Sequence, residues 1–383
     1  MRREDLTKLE TPYQESKTEI DRRFHTALEA DVPSANILVR EILGDLDRTT
    51  YGIPWLTGIT DQERVLISDY LYQCAYAIET NLVEANLHIL EWFDARDHQN
   101  RRIADVVQYE GGEFKQKMPP ALAPIDDLPA RLGDMHVCGF FQAIGSSLDC
   151  LSAVVVGVLG LKSKLRRCDI GKMEQAFNKI PADGSVRQVE FPDFYEAQRK
   201  DAGPDDWLNW TNQMRNMLIH RGRRIIYHSL VQRCNPLLDS KGKTIMRSDA
   251  TMHLPKDPDR SDVEAWIKDP NIVLSEDAGI TLTGIFKSCR QFHESICERL
   301  VTVYRERRTD PPLITQPASQ WDLDIRESSF EGYEPPRSSL DEDNVGMSHG
   351  TVLHRMISAA VMDQQRTFWE GSPYVTEDPD SEV

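Results

Sequence analysis

The run from Val137 to Leu161 constrains this 383-residue chain more than any other stretch. It is long and apolar enough to raise the question of a membrane span, yet it contains Gln142, Ser146, Ser147, Asp149 and Ser152. An aspartate near the middle of a spanning helix costs roughly 2.5–3.5 kcal/mol on insertion scales, so the segment is read as the core helix of a soluble protein.

Amphipathic helices flank it in sequence. Leu71, Ala75, Ile78, Leu82, Ala85, Ile89 and Trp92 recur at alternating spacings of four and three, which predicts a long helix with one buried stripe. Leu282, Ile285, Cys289, Phe292, Ile296, Leu300 and Val303 predict another, closed by the basic run Arg305 to Arg308 at the negative end of its dipole. Ile20 to Glu29 and Ala35 to Leu46 read as shorter helices, separated at Val32-Pro33-Ser34. Two proline- and glycine-marked stretches, 96–134 and 162–204, read as connections. Arg224 to Gln232 is β-branched and apolar enough for a strand, paired with Thr244 to Leu254.

The expected organisation is a helical extension over 1–60 and a helical domain over 61–308. An acidic, proline-rich disordered linker follows over 309–346, then an amphipathic helix and tail over 347–383. Val352, Leu353, Met356, Ile357, Ala360, Val361 and Phe368 give that last helix an apolar face for the bundle or for a protein partner.

The formal charge of −17 is concentrated in the tail, because residues 309–383 hold fifteen Asp or Glu against four Lys or Arg. An acidic chain is repelled by phosphate backbones, so any nucleic-acid site has to be a local basic patch. No apolar run follows the charged start Met1-Arg2-Arg3-Glu4-Asp5, which argues against a secretory signal. The seven cysteines are scattered, odd in number and without a Cys-x-x-Cys pair, which suits reduced thiols in a cytoplasmic protein. His88, His136, His293 and His354 have no partner at metal-ligand spacing, so no metal or other cofactor is expected.

The local patch lies near residue 220. From Asp205-Asp206, a helix places Trp207, Trp210, Met214, Met217 and Leu218 in one arc centred near about 330°, counting about 100° per residue from Trp207. Asn209, Asn212, Asn216 and His220 fall between about 140° and 220° on the same count, and Arg215 near about 80°. Asparagines are poor helix formers, so three on one face ask for a reason such as an interface or a ligand. Arg221, Arg223 and Arg224 follow directly, and phosphate is a natural guest.

Arg215, Asn216 and His220 resemble the motif of the HEPN (higher eukaryotes and prokaryotes nucleotide-binding) superfamily: Arg, then a polar residue such as Asn, then His four to six positions on. The resemblance implies an all-α, HEPN-like helical bundle, with the β-hairpin as an insertion, built from roughly 61–95, 135–161, 205–224 and 279–306. It also implies a metal-independent endoribonuclease whose motif helices meet in a homodimer, in a toxin or antiviral defence system. Arg215, His220 and Asn216 would be catalytic. Asn212, Arg221, Arg223 and Arg224 would hold RNA, and Asp149 would support Arg215 or His220. Histidine can move a proton near neutral pH, and arginine can hold the scissile phosphate bidentately. Arg215 and His220 lie about 140° apart on a regular helix, so one copy alone does not aim both at one atom.

Arg131/His136, Arg223/His228 and Arg247/His253 share the loose spacing, but Arg215 alone has Asn next to it and a helical setting with an opposite apolar face. Gly222 stands where some HEPN toxins carry a modifiable tyrosine, which puts that mode of regulation in doubt. The rival expectation is a non-catalytic HEPN interaction or RNA-binding module. In it, Asn209, Asn212 and Asn216 pack a dimer.

Overall fold

A computed structural model describes residues 30–314 apart from 47–51, 111–112, 117–127, 182, 221–226 and 239–243. The expectations for helix 20–29, the acidic linker and the C-terminal helix fall outside these residues. About three quarters of what is described is helical, and the strands are confined to two antiparallel hairpins, so the fold is all-α as the periodicity predicts. In chain order the elements are α1 (Pro33–Asp45), α2 (Asp61–Val106), β1 (Val107–Glu110), β2 (Glu113–Gln116), α3 (Leu128–Val158) and α4 (Ile170–Phe177). They continue with α5 (Val186–Ala202), α6 (Trp207–His220), β3 (Tyr227–Leu238), β4 (Thr244–His253), α7 (Asp262–Lys268) and α8 (Ala278–Thr309).

The predicted stripes are the buried faces of α2 and α8: Leu71 through Trp92 and Leu282 through Val303 are all buried. The apolar run is α3, long and apolar enough to cross a membrane, with most of its apolar window buried inside the protein. The hairpin predicted near 224–254 is β3–β4, running from Tyr227 opposite His253 to Leu238 opposite Thr244. Its register slips between Gln232 and Pro236, where the proline has no amide to donate to the ladder.

Both stretches read as connections carry structure. α2 continues to Val106 because no helix breaker precedes Gly111-Gly112, and that dipeptide lies between β1 and β2. α3 begins at Leu128, with Pro129 in its first turn, where a missing amide costs little. The stretch 162–204 holds α4 and α5. Pro192 sits inside α5, but Gln188, Phe191 and Tyr195 are buried at helical spacing and hold the helix around it.

The chain divides into two compact units of interleaved segments. The second takes residues 33–78, 148–195 and 294–383. In it α3 ends with Gly160 at φ +58, and Leu161 N–H donates to Val156 O while Gly160 N–H donates to Gly157 O, a Schellman closure. Two side chains satisfy the remaining carbonyls: Arg307 Nη1 donates to Val158 O at 2.6 Å, and Gln188 Nε2 to Leu159 O at 2.8 Å. The fully buried Arg307 also lies over the Trp55 ring, 3.7 Å from its centroid. Burial pulls its pKa down to about 9, still well above neutrality, so it enters the core charged. Arg305 and Arg308 clasp α1 by pairing with Glu41, and Arg308 also reaches Asp45. Burial works against the Glu41 carboxylate, but the two guanidiniums outweigh it and hold its pKa below the usual range.

The first unit takes residues up to Val32, then 79–147 and 196–293. There Trp92 is fully buried, with Phe93 beside it, against Gly279, where any Cβ would come within 3 Å of the rings. Arg96 covers both rings and pairs with Asp277 at 2.9 Å. α6 packs here through Trp210 on Phe141 and Trp207 on Phe292.

Candidate functional site

Trp207, Leu208, Thr211, Met214 and Met217 are buried on α6, while Trp210 and Leu218 are half-buried. The buried arc therefore reaches further round the helix than the sequence predicts, taking in Leu208 and Thr211. Arg215, placed by the wheel between Thr211 and Leu208, falls within it. The side chain is half-buried with Nε fully enclosed, and it lies on Gly145 of α3. A Cβ added at Gly145 would stand 2.2 Å from Arg215 Cδ and 2.4 Å from Nε. The glycine is a notch that lets the stem of the arginine lie flat against a packed helix, and such support fixes where a guanidinium can go.

The opposite face is polar as predicted. Asn209 and Asn216 are exposed and Asn212 is half-buried. Asp206 precedes the helix in the left-handed region, φ +66, a conformation aspartate tolerates better than most residues, and its carboxylate accepts from Asn209 Nδ2. His220 is the last residue of α6. Its side chain, and all of Arg221, Arg223 and Arg224, lie outside the described residues. Among the proposed RNA contacts, the structure therefore brings Arg215, Asn216 and Asn212 onto one helix. Asp149 belongs to the second unit, beside Cys150 and Cys168.

A polar cavity of about 400 Å³ borders α6 in the first unit, lined by Asp206, Trp210 and Gln213 together with Lys256, Asp269 and Asn271. Lys256 Nζ holds Asp269 at 2.9 Å across it, and the Trp210 indole donates to Pro255 O at 3.3 Å. Its volume is within the range of small-ligand sites. Nothing at sequence level marked it, because α7 and the segment after it were not recognised as structure.

Two other Arg-to-His copies resolve into structural histidines. His253 Nδ1 lies 2.9 Å from both Leu274 O and Glu276 O, so it carries the hydrogen and donates there. His136 meets His88, a pairing that the absence of metal-ligand spacing leaves open: their Nδ1 atoms are 3.1 Å apart, with ring centroids 5.4 Å apart. The two separations differ by about twice the centre-to-nitrogen distance of an imidazole, so the nitrogens face each other head-on, one donating and one accepting. Gly139 makes room for the His88 ring as Gly145 does for Arg215. The signal available in sequence was this glycine, one turn beyond His136, but the 48-residue separation of the histidines hid it. Among the described residues, no group of three or more His, Cys, Asp or Glu is arranged to hold a metal ion.

Comparison with protein-family models, with curated proteins and with solved structures finds no match.

Proposed function

We propose that the chain is a metal-independent, HEPN-type endoribonuclease that cuts single-stranded RNA at a site completed by a second copy of itself. The observation that carries this reading is Arg215 seated in the Gly145 notch of a helix whose other face presents Asn209 and Asn216. An arginine supported along its stem is suited to stabilising charge that develops on a phosphate, because it need not reorganise at the moment of reaction. The 2′-hydroxyl of a ribose attacks the adjacent phosphorus and the 5′-oxygen leaves, giving a 2′,3′-cyclic phosphate and a 5′-hydroxyl. One His220 takes the 2′ proton and the His220 of the second copy supplies one to the leaving oxygen, while Arg215 holds the equatorial oxygens. Arg221, Arg223 and Arg224 draw the strand in against the acidic average of the chain. The setting is a cytoplasmic stress or phage-defence system.

The purified full chain should cut RNA in the presence of EDTA. Arg215→Ala and His220→Ala should each lower the rate by roughly 10²–10⁴-fold with little change in folding. No cleavage of any single-stranded RNA, or cleavage indifferent to both substitutions, overturns the proposal. One observation favours the rival, a non-catalytic interaction module. Ile219 is 48% exposed next to His220, and an apolar side chain there suits contact with protein. A dimer that survives His220→Ala without any nuclease activity in the wild type would select it.

A further inference from the structure

The second unit gathers a reactive cluster that the proposed RNA chemistry does not use. Cys74 of α2 and Cys150 of α3 are 76 positions apart in sequence, yet their thiols are in hydrogen-bonding contact, and Tyr70 also hydrogen-bonds Cys74. Cys168 and Asp149 stand beside them. The helices here run antiparallel and close. Leu71, one turn before Cys74, packs on Gly157, two turns beyond Cys150, where a Cβ would come within 2.5 Å of the leucine. Cys74 is buried and Cys150 is half-buried, so Cys150 is the more exposed member of the pair.

The two sulfurs differ in protonation. The contact with Cys150, together with burial, pushes Cys74 far above the ordinary thiol range, so it keeps its hydrogen and donates it. Receiving that bond holds Cys150 below the ordinary range, against the pull of its own burial. Cys168 is pushed up to about 12 by burial and by the Asp169 and Asp149 carboxylates, and stays a thiol. Thiolate character and access decide which cysteine reacts, and both favour Cys150.

We propose that Cys74 and Cys150 are a redox-modifiable dithiol that hydrogen peroxide converts to a reversible disulfide. The Cys150 thiolate attacks one peroxide oxygen and the O–O bond breaks, leaving a sulfenic acid and hydroxide. The Cys74 thiol then attacks the Cys150 sulfur and displaces the hydroxyl, which takes up the Cys74 proton and leaves as water. In sum two thiols and one peroxide become one disulfide and two waters, and a dithiol reductant reverses the change. A disulfide needs the two sulfurs at about 2 Å, and the contact between the thiols holds them side by side beforehand.

The test uses the reduced full-length protein, treated with a small excess of hydrogen peroxide, alkylated in denaturant and mapped by mass spectrometry. The expected result is a peptide pair joining Cys74 to Cys150, lost on reduction and kept in Cys168→Ser. In Cys74→Ser, Cys150 should instead be trapped as a sulfenic acid by a dimedone probe. The disulfide form of the wild type should melt a few degrees higher, since it ties α2 to α3. Because the map is made on the wild type, it stands even if a cysteine variant fails to fold. Full alkylation of both cysteines after peroxide, or cross-links that involve Cys168 as often as Cys74, overturns the proposal.

Discussion

Arginines at two places in the molecule are buried in different ways. In the second unit, Arg307 enters the core, spends a donor on the last turn of α3 and rests on Trp55, while Arg305 and Arg308 close on Glu41. Each of these guanidiniums is engaged by groups the chain itself supplies, so their role is completed by folding. In the first unit, Arg215 is supported along its stem by a glycine while its residue remains half-exposed on a helix with exposed amides. The sequence shows a basic cluster in both places. What separates them is depth and support, a guanidinium sunk in the core over an indole against a stem laid in a glycine notch at the half-exposed surface, and that is a property of tertiary structure.

The strongest way to break this contrast is at Arg307. Arg307→Ala leaves the Val158 carbonyl without its donor and opens a cavity beside Trp55, and it should cost about 3–4 kcal/mol in urea unfolding. Wild-type stability for that variant would remove Arg307 from the fold's supports. Next comes Gly145→Ala, whose methyl occupies the place of the Arg215 stem. RNA cleavage should fall about 10²-fold, as in Arg215→Ala, and the double variant should lose no more than either alone. A double variant that is the product of the two losses would separate the notch from the arginine.

Glu41→Gln should cost about 1 kcal/mol, the upper end for an ion pair at the protein surface, because this carboxylate is half-buried and held by two arginines. Its pH dependence has a definite sign. Because the folded pKa lies below the ordinary 4.5, the pair's contribution is whole above that value and disappears as pH falls through the folded pKa. Stability curves of wild type and variant should therefore converge in acid. The smallest effect belongs to His293, fully buried with its Nδ1 hydrogen donated to Cys289 O. Burial holds its pKa below the ordinary 6.5, so the unfolded chain binds the proton first, and stability is complete above 6.5 and declines below it. His293→Gln should flatten that decline by less than about 1 kcal/mol over the first pH unit below 6.5, read by thermal melts.

The stripes of α2 and α8 were legible because alternating spacings of three and four report a buried helical face whatever covers it. α5 was not legible, since Pro192 and a charged exterior hide the three residues that anchor it. The core side of α6 and its exposed amides were both readable from a wheel. The seating of Arg215 was not, because its cause is a glycine 70 positions away on another helix. The meeting of His88 with His136 and of Cys74 with Cys150 escaped for the same reason. Each pair depends on how α2 registers against α3, and neither helix states that register alone.

The glycines of α3 also bear on the order in which the protein is made. A helix this apolar, opened at Gly139 and Gly145 to receive side chains from its neighbours, is finished at Val158, while α6 begins at Trp207 and α8 at Ala278. During synthesis α2 is present to seat His88 in the first opening, but the second faces nothing until α6 has emerged. For that interval the nascent chain displays a membrane-like segment with part of its cover untranslated, so its yield in the cell should depend on chaperones that shield such segments.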